Sequence, residues 1–294
     1  MTQINSVIRG RLGNQMFQYA FARWIKEKCG DPDAEITAFL PNFKNELEQF
    51  STGCRFLDHY PDRTLGQKAV MAYVNRRCRG NEYRDLHRYE KLLNRFGVYW
   101  STDNKGDVGF YRRNRYLLYG WFENRRWGND LGDILRREFT PSFDVLPENL
   151  DFYNMVRSTD SVCFHARYYA NDYNRIPDEK DYYRRAVKEM QKRIDNPVFF
   201  IFTNKPAWAE EMLEPGKWGS EYHFEPVFND GKKRPSVETL RLMYSCRHFI
   251  VSVSTFSWWA QFLGDADDKL VVAPLRMREG QISTGLTEDS WIRV

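Results

Sequence analysis

From Asp160 to Pro274 the sequence alternates short apolar runs with longer amphipathic stretches. "DSVCFHA" precedes "KDYYRRAVKEMQKRI"; "PVFFIFT" precedes "PAWAEEML"; "VETLRLMYSC", "HFIVSV", "FSWWAQFL" and "KLVVAP" continue the series. Runs of four to eight apolar residues read as buried strands, and the stretches with apolar residues three and four apart read as helices. Strand and helix in regular alternation leave few solutions, the main one being a parallel sheet with helices on both faces, an α/β class. In such a sheet ligands bind beyond the carboxyl ends of the strands, so the residues just after each strand become the candidates for function.

The first half repeats the pattern less plainly. "INSVI" reads as a strand. After the glycine turn "RGRLGNQ" comes a helix with Met16, Phe17, Ala20, Phe21, Trp24 and Ile25 on its apolar face. "RTLGQKAVMAYVNRRCRG" reads as a further helix, "RYLLYGWF" as a strand and "NDLGDILRREF" as a helix, while the rest of the span from Ala34 to Tyr111 shows no clear period. Pro141 and Pro147 in "TPSFDVLPENL" mark a linker. At 294 residues the chain suits two domains, set here at 1–145 and 146–294.

Composition narrows the function classes. Lys+Arg number 44 against 40 Asp+Glu, a balance too even for a protein whose main partner is nucleic acid. "RRNR" at Arg112 to Arg115 lacks an extended basic stripe and reads as a solvated face. No stretch approaches the roughly 20 apolar residues of a membrane span. The start, "MTQINSVIRG", has no secretory pattern, and five cysteines without a C-x-x-C pair indicate neither a disulfide framework nor a zinc site. A reducing cytoplasm is the expected location. "DAD" at Asp265 to Asp267 matches a short metal-binding pattern by chance and reads as a solvated turn before a strand.

Three strand ends carry candidate chemistry. Gly10 and Gly13 allow close backbone approach to a ligand, the helix that follows offers free N–H groups to a phosphate, and Asn14 is placed either to cap that helix or to bond a diphosphate. An ordinary capped glycine turn fits the same residues. In "CFHARYYANDYNR", His165 and Arg167 follow a strand at i and i+2 and so share a side of the chain. Arg167 has the planar, permanently charged fork that clamps a diphosphate, and Asp172 lies close enough in sequence to join the site. A core histidine and a surface ion pair fit equally well. In "VSVSTFSWWAQFL", Ser254, Thr255, Phe256 and Ser257 stand between a strand and a helix, where hydroxyls and N–H groups suit a phosphate. A Ser/Thr cap before a buried Trp258-Trp259 pair is the alternative.

Taken together and in this order, "GRLGNQMFQYA", "FHAR…DY" and "LRLMYSCRHFIVSVSTFSWWAQFL" resemble the alpha-1,2-fucosyltransferase family, glycosyltransferase family 11. "YLLYGWFENRRWGNDLGDILRREF" and "NPVFFIFTNKPAWAEEML" also look like that family, so the resemblance covers nearly the whole chain. It implies a GT-B fold of two Rossmann-like domains with a cleft between them, the N-terminal one on the acceptor side and the C-terminal one binding the nucleotide sugar. It implies GDP-fucose as donor substrate, no metal or other cofactor, and a glycan acceptor carrying a beta-galactoside, with a lipid-linked surface polysaccharide unit met at the inner face of the membrane as one candidate. By similarity Gly13 and Asn14 approach the donor diphosphate from the first domain, Arg167 neutralises it and Ser254 to Ser257 bind it from the second. His165 holds the guanosine side or positions Arg167.

The family's usual H-x-R-R-G-D-Y is altered here. A single Arg167 is followed by Tyr168-Tyr169-Ala170-Asn171 before Asp172-Tyr173, and Asn204-Lys205 stand where acidic residues are common. More distant protein O-fucosyltransferases resemble "GRLGNQ" and carry H-x-R with one arginine. Asp172 is the candidate base by position, or else it orients the acceptor. Two alternatives stay open beside galactoside fucosylation: another GDP-sugar or a non-galactose acceptor, and a non-catalytic glycan- or nucleotide-binding relative.

Overall fold

The computed structural model describes residues 1–78, 86–101, 108–169, 176, 178–226, 234–275 and 284–294. The chain divides into two compact units, Met1–Thr140 and Pro141–Val294. The division falls at the start of "TPSFDVLPENL", where the sequence places its linker. Residues of that stretch are anchored to the second unit. Leu146 N and Asn149 Nδ2 donate to Glu238 Oε1 at 3.0 and 3.1 Å, and Arg241 Nη2 donates to Phe143 O.

Unit 1 runs β1 (Gln3–Val7), α1 (Leu12–Cys29), β2 (Glu35–Phe39), β3 (Arg55–Leu57), α2 (Leu65–Arg77), α3 (Glu90–Arg95), β4 (Val98–Ser101), β5 (Arg115–Gly120) and α4 (Arg125–Glu138). Its sheet has the order β3-β2-β1-β5-β4, and every pairing is parallel. α1 is buried along most of its length. Phe21 stacks on Phe122 at 4.1 Å and meets Trp127 at 4.9 Å, filling the space between α1 and α4 with aromatic surface. Gly30 ends α1 in the left-handed region at φ 62, where a residue without Cβ is unstrained, and Arg112 Nη2 donates to Cys29 O at 2.6 Å. That arginine of "RRNR" therefore serves the main chain. α2 occupies the expected helix and opens with a capping box between Thr64 and Gln67.

Unit 2 runs α5 (Leu150–Ser158), β6 (Ser161–Ala166), α6 (Glu179–Gln191), β7 (Val198–Thr203), α7 (Pro206–Leu213), β8 (Tyr222–Pro226), α8 (Ser236–Tyr244), β9 (His248–Ile250), α9 (Thr255–Leu263), β10 (Val271–Ala273) and β11 (Ile292–Arg293). The sheet order is β11-β10-β9-β6-β7-β8, again with all pairings parallel. β6 and β7 are buried at every residue, as central strands covered on both faces must be. From β6 the chain winds outward through β7 and β8, returns, and winds the other way through β9, β10 and β11. The crevice where the direction reverses lies between the carboxyl ends of β6 and β9, the ligand position in doubly wound sheets. The fold is α/β, of the two-Rossmann-unit type expected.

Candidate functional site

In unit 2 the strand-end residues converge at this switch point. β6 ends at Ala166, so His165 is the last but one strand residue and Arg167 the first beyond it. His165 is buried at 1 % exposure; its Nδ1 and the Ser252 hydroxyl are hydrogen-bonded at 3.0 Å, while its Nε2 has no partner among the described residues. Burial first, and the Arg167 charge second, push the imidazole down to about 3, so the ring is neutral at physiological pH. One nitrogen of a neutral ring is a donor and the other an acceptor. Where Ser252 donates to Nδ1, Nε2 carries the hydrogen and is a donor; in the other tautomer Nδ1 donates to Ser252 and Nε2 is an acceptor. Phe256 covers the ring at 6.2 Å between centroids.

The expected strand "HFIVSV" ends its regular pairing at Ile250, because the main chain turns to enter α9. Ser254 N donates to Ser252 O at 2.8 Å, and the Ser257 hydroxyl donates to Ser252 O and Ser254 O at 3.2 and 3.0 Å. Ser257 is buried at 2 % and shapes the turn, while Ser254, Thr255 and Phe256 are half-buried. Ser254 is the N-cap of α9 and its Oγ accepts from Phe256 N at 3.3 Å. The positive end of the helix dipole therefore opens at the switch point beside Arg167 and His165. Trp258 and Trp259 lie in the core, as the sequence predicts.

Tyr169 joins the two loops, its hydroxyl donating to Val253 O at 3.0 Å and its ring lying 5.5 Å from the Arg167 guanidinium carbon. The two places where the sequence departs from the family pattern meet here. Tyr168 N donates to Asn204 Oδ1 at 2.8 Å, Asn204 Nδ2 donates back to Tyr168 O at 3.1 Å, and Lys205 Nζ sits 4.4 Å over the Tyr168 ring. Asp172 lies outside the described residues. Asp265 and Asp267 precede β10 and so stand at the amino ends of the parallel strands, away from these carboxyl ends.

In unit 1 the glycine turn follows β1, at the carboxyl end of its sheet. Gly10 has φ +84, and a Cβ there would meet Asn14 Cβ at 3.0 Å and Trp121 Cζ3 at 3.1 Å, so the position requires glycine twice over. Asn14 does not cap α1. The N-cap is Arg11, and Asn14 sits in the first turn with its N–H donating to Arg11 O. Gly13 is buried beside it. The first N–H of the helix is already taken, since Leu12 N donates to Glu46 Oε2 at 2.8 Å. That carboxylate is carried in by a loop which Gln15 holds: Gln15 Oε1 accepts from Glu46 N at 3.0 Å, and Nε2 donates to Lys44 O and Gly10 O at 2.8 and 2.9 Å. Gln18 braces the other side, accepting from Arg9 N and donating to Arg9 O and Asn14 O. Neither glutamine stood among the candidates from sequence, although Gln15 is part of the quoted turn.

A profile of glycosyl transferase family 11 matches residues 3–292. The chain belongs to glycosyltransferase family 11. The O-antigen biosynthesis glycosyltransferase WbnK of Escherichia coli is 24% identical over 98% of this chain and 99% of that protein. An Escherichia coli alpha-1,2-colitosyltransferase is 23% identical over 100% and 99%. Galactoside alpha-(1,2)-fucosyltransferase 2 of Pongo pygmaeus is 27% identical, over 30% of this chain and 24% of that one. In fold, this family 11 chain is similar to the fucosyltransferase NodZ from Bradyrhizobium, with a TM-score of 0.54 at 12% identity over 90% and 94% of the two chains. A NodZ alpha-1,6-fucosyltransferase crystal soaked with GDP-fucose gives a TM-score of 0.53. The fold is of GT-B type. No helix among the described residues is long and apolar enough to cross a membrane.

The neutral His165 has a consequence for stability. The unfolded ring binds a proton near 6.5 and the folded ring only near 3, so the unfolded state takes up protons first as pH falls. The contribution is whole above 6.5 and drains away below it. Between neutral pH and roughly pH 5 the protein is expected to lose about 2 kcal/mol more than a His165→Gln variant does. Denaturant midpoints across that range check it; parallel pH profiles for the two proteins would contradict it.

Proposed function

We propose that this chain transfers L-fucose from GDP-fucose to the 2-hydroxyl of a beta-galactoside on a glycan, with inversion at the anomeric carbon. The observation that carries the reading is the joining of the β6 and β9 strand-end loops by Tyr169, which sets Arg167, the neutral His165 and the start of α9 at one switch point. Family 11 membership supports a nucleotide-sugar donor and a glycan acceptor, and the fucosyl and colitosyl relatives named above support an α-1,2 linkage.

The chemistry follows from where charge develops. Breaking the sugar–diphosphate bond gathers negative charge on the leaving phosphate while the sugar becomes oxocarbenium-like. Donors fixed at the phosphate therefore stabilise the transition state more than the ground state. Arg167 takes the largest share, donating two N–H bonds to the diphosphate. The Nε2–H of His165 adds a neutral donor, and Ser254, Thr255 and Phe256 present hydroxyls and the helix terminus. Ser257 acts by holding the turn. In unit 1 the Gly13–Asn14 turn is kept rigid by Gln15 and Gln18. Asp172 accepts the acceptor's proton. No metal is needed in this scheme, since Arg167 and the helix supply the positive field.

The relative that transfers colitose spans the whole chain and favours a second reading, in which the donor is a GDP-sugar other than GDP-fucose. One experiment separates the readings: the protein is incubated with GDP-fucose, GDP-colitose or GDP-mannose and a panel of beta-galactosides, with and without EDTA, and the product linkage is determined by NMR. Fucose on O2 of galactose, formed at the same rate with and without EDTA, is the expected result. Consumption of another donor in its place selects the second reading. GDP binding with every donor left intact would mean a non-catalytic relative.

A further inference from the structure

The carboxyl end of the unit 1 sheet carries a second cluster that the donor site does not use. Arg9, just beyond β1, lies with its guanidinium carbon 4.1 Å from the Tyr119 ring centroid at the end of β5 and 5.5 Å from that of Trp121, the next residue after the strand. Beyond β3, Arg63 stands 5.7 Å from the ring of Tyr60, which is 44 % exposed and packs edge-on against Phe39 at the end of β2. The strands carrying the two halves are neighbours, β3-β2-β1-β5, with Val7 and Phe39 paired at the carboxyl ends of β1 and β2, so the two halves form one patch. Trp121 is fixed, since its ring lies against the Gly10 backbone and the next residue, Phe122, accepts from Trp127 Nε1 at 2.6 Å.

Among the described residues neither Arg9 nor Arg63 has a side-chain hydrogen bond or ion pair; each meets only aromatic rings. A guanidinium held near an aromatic ring keeps N–H groups that point away from it, and these remain available to a ligand. Two such arginines set among half-buried aromatic rings match one kind of ligand: a sugar ring, whose C–H face packs on an aromatic ring, next to an anionic group. We propose that this patch binds the acceptor glycan and selects one bearing a negative charge, a carboxylate or a phosphate. The inference rests on the glycan-acceptor reading above and adds to it the acceptor's charge.

Titration calorimetry of the full chain, without donor and at low salt, tests it with lactose, lactose 1-phosphate and lactobionate as probes. The three share a beta-galactosyl end and differ in the presence and kind of anion. One or both anionic probes are expected to bind about tenfold more tightly than lactose, the scale of one added charge-assisted contact. The Arg9→Gln, Arg63→Gln double variant, with an unchanged melting temperature, is expected to bind all three with the affinity that the original chain shows for lactose. Gain with the phosphate alone or the carboxylate alone names the anion. Equal affinity of the original chain for all three probes, no binding of any, or a double variant that keeps the anion preference would overturn the proposal. GDP-fucose hydrolysis by the unsubstituted chain reports on the donor reading separately, so failure of one is not failure of the other.

Discussion

Replacing Arg167 with alanine is expected to lower kcat by about a hundredfold to a thousandfold, the usual loss when one fixed donor to a developing anion is removed. kcat/KM should fall by a similar factor, because the contact strengthens as the leaving phosphate gains charge. The side chain is half-buried and its neighbours are held by the Tyr169 and Ser257 hydroxyls donating to main-chain carbonyls, so the melting temperature should move little. Arg167→Lys keeps the charge and loses the fork, and should recover only part of the rate. A second sign is internal to the site. Arg167 is the smaller of the two causes that hold His165 low, so in the alanine variant the ring's titration should move upward while burial still keeps it below its ordinary value. Steady-state rates with the preferred donor and a histidine NMR titration check both statements. A variant with full kcat would remove Arg167 from the chemistry.

Gln15→Ala is the substitution expected to cost most in stability. The side chain is fully buried, and its three bonds, to Gly10 O, Lys44 O and Glu46 N, join parts of the chain about thirty residues apart. Truncation opens a cavity and leaves one buried and two partly buried main-chain groups to find new partners, each buried one at roughly 1 to 3 kcal/mol. A net loss of about 4 kcal/mol is expected, and at about 2 to 4 °C per kcal/mol the melting temperature should fall by roughly 10 °C. Gln15→Glu nearly preserves the shape but replaces a donor with an acceptor facing two carbonyls, and should do no better. Thermal unfolding checks it. A shift under about 2 °C would show that the turn is held by something else.

The sequence makes the second unit readable because β6 and β7 are buried on both faces and appear as unbroken apolar runs flanked by amphipathic helices. Unit 1 hides more. β3 and β4 are too short to show a period, and β2, "EITAF", is a five-residue run among loop residues; all three are stabilised by neighbours far along the chain. In unit 2, β8 and β11 are edge strands, and α5 follows the proline-marked linker so closely that its apolar stripe merges with it. The candidate site divides in the same way. Gly10, His165, Arg167 and Ser254 are legible since each has a local reason to stand at a strand end. The glutamine brace, the Tyr169 tie and the Tyr168–Asn204 clasp are not, because their partners lie 31, 84 and 36 positions away and nothing in the local pattern names them. Asn14 was open to a capping role because its residue type favours caps; the extended backbone at Arg11 and the Glu46 carboxylate take that role from it.

In the proposed function the β6/β9 switch point grips the diphosphate of an activated sugar. A crystal structure of the protein with GDP tests this most directly. Phosphate oxygens are expected within hydrogen-bonding distance of the Arg167 guanidinium and of the first residues of α9, with His165 Nε2 no longer without a partner. GDP bound elsewhere, with Arg167 and Ser254 untouched, would contradict it.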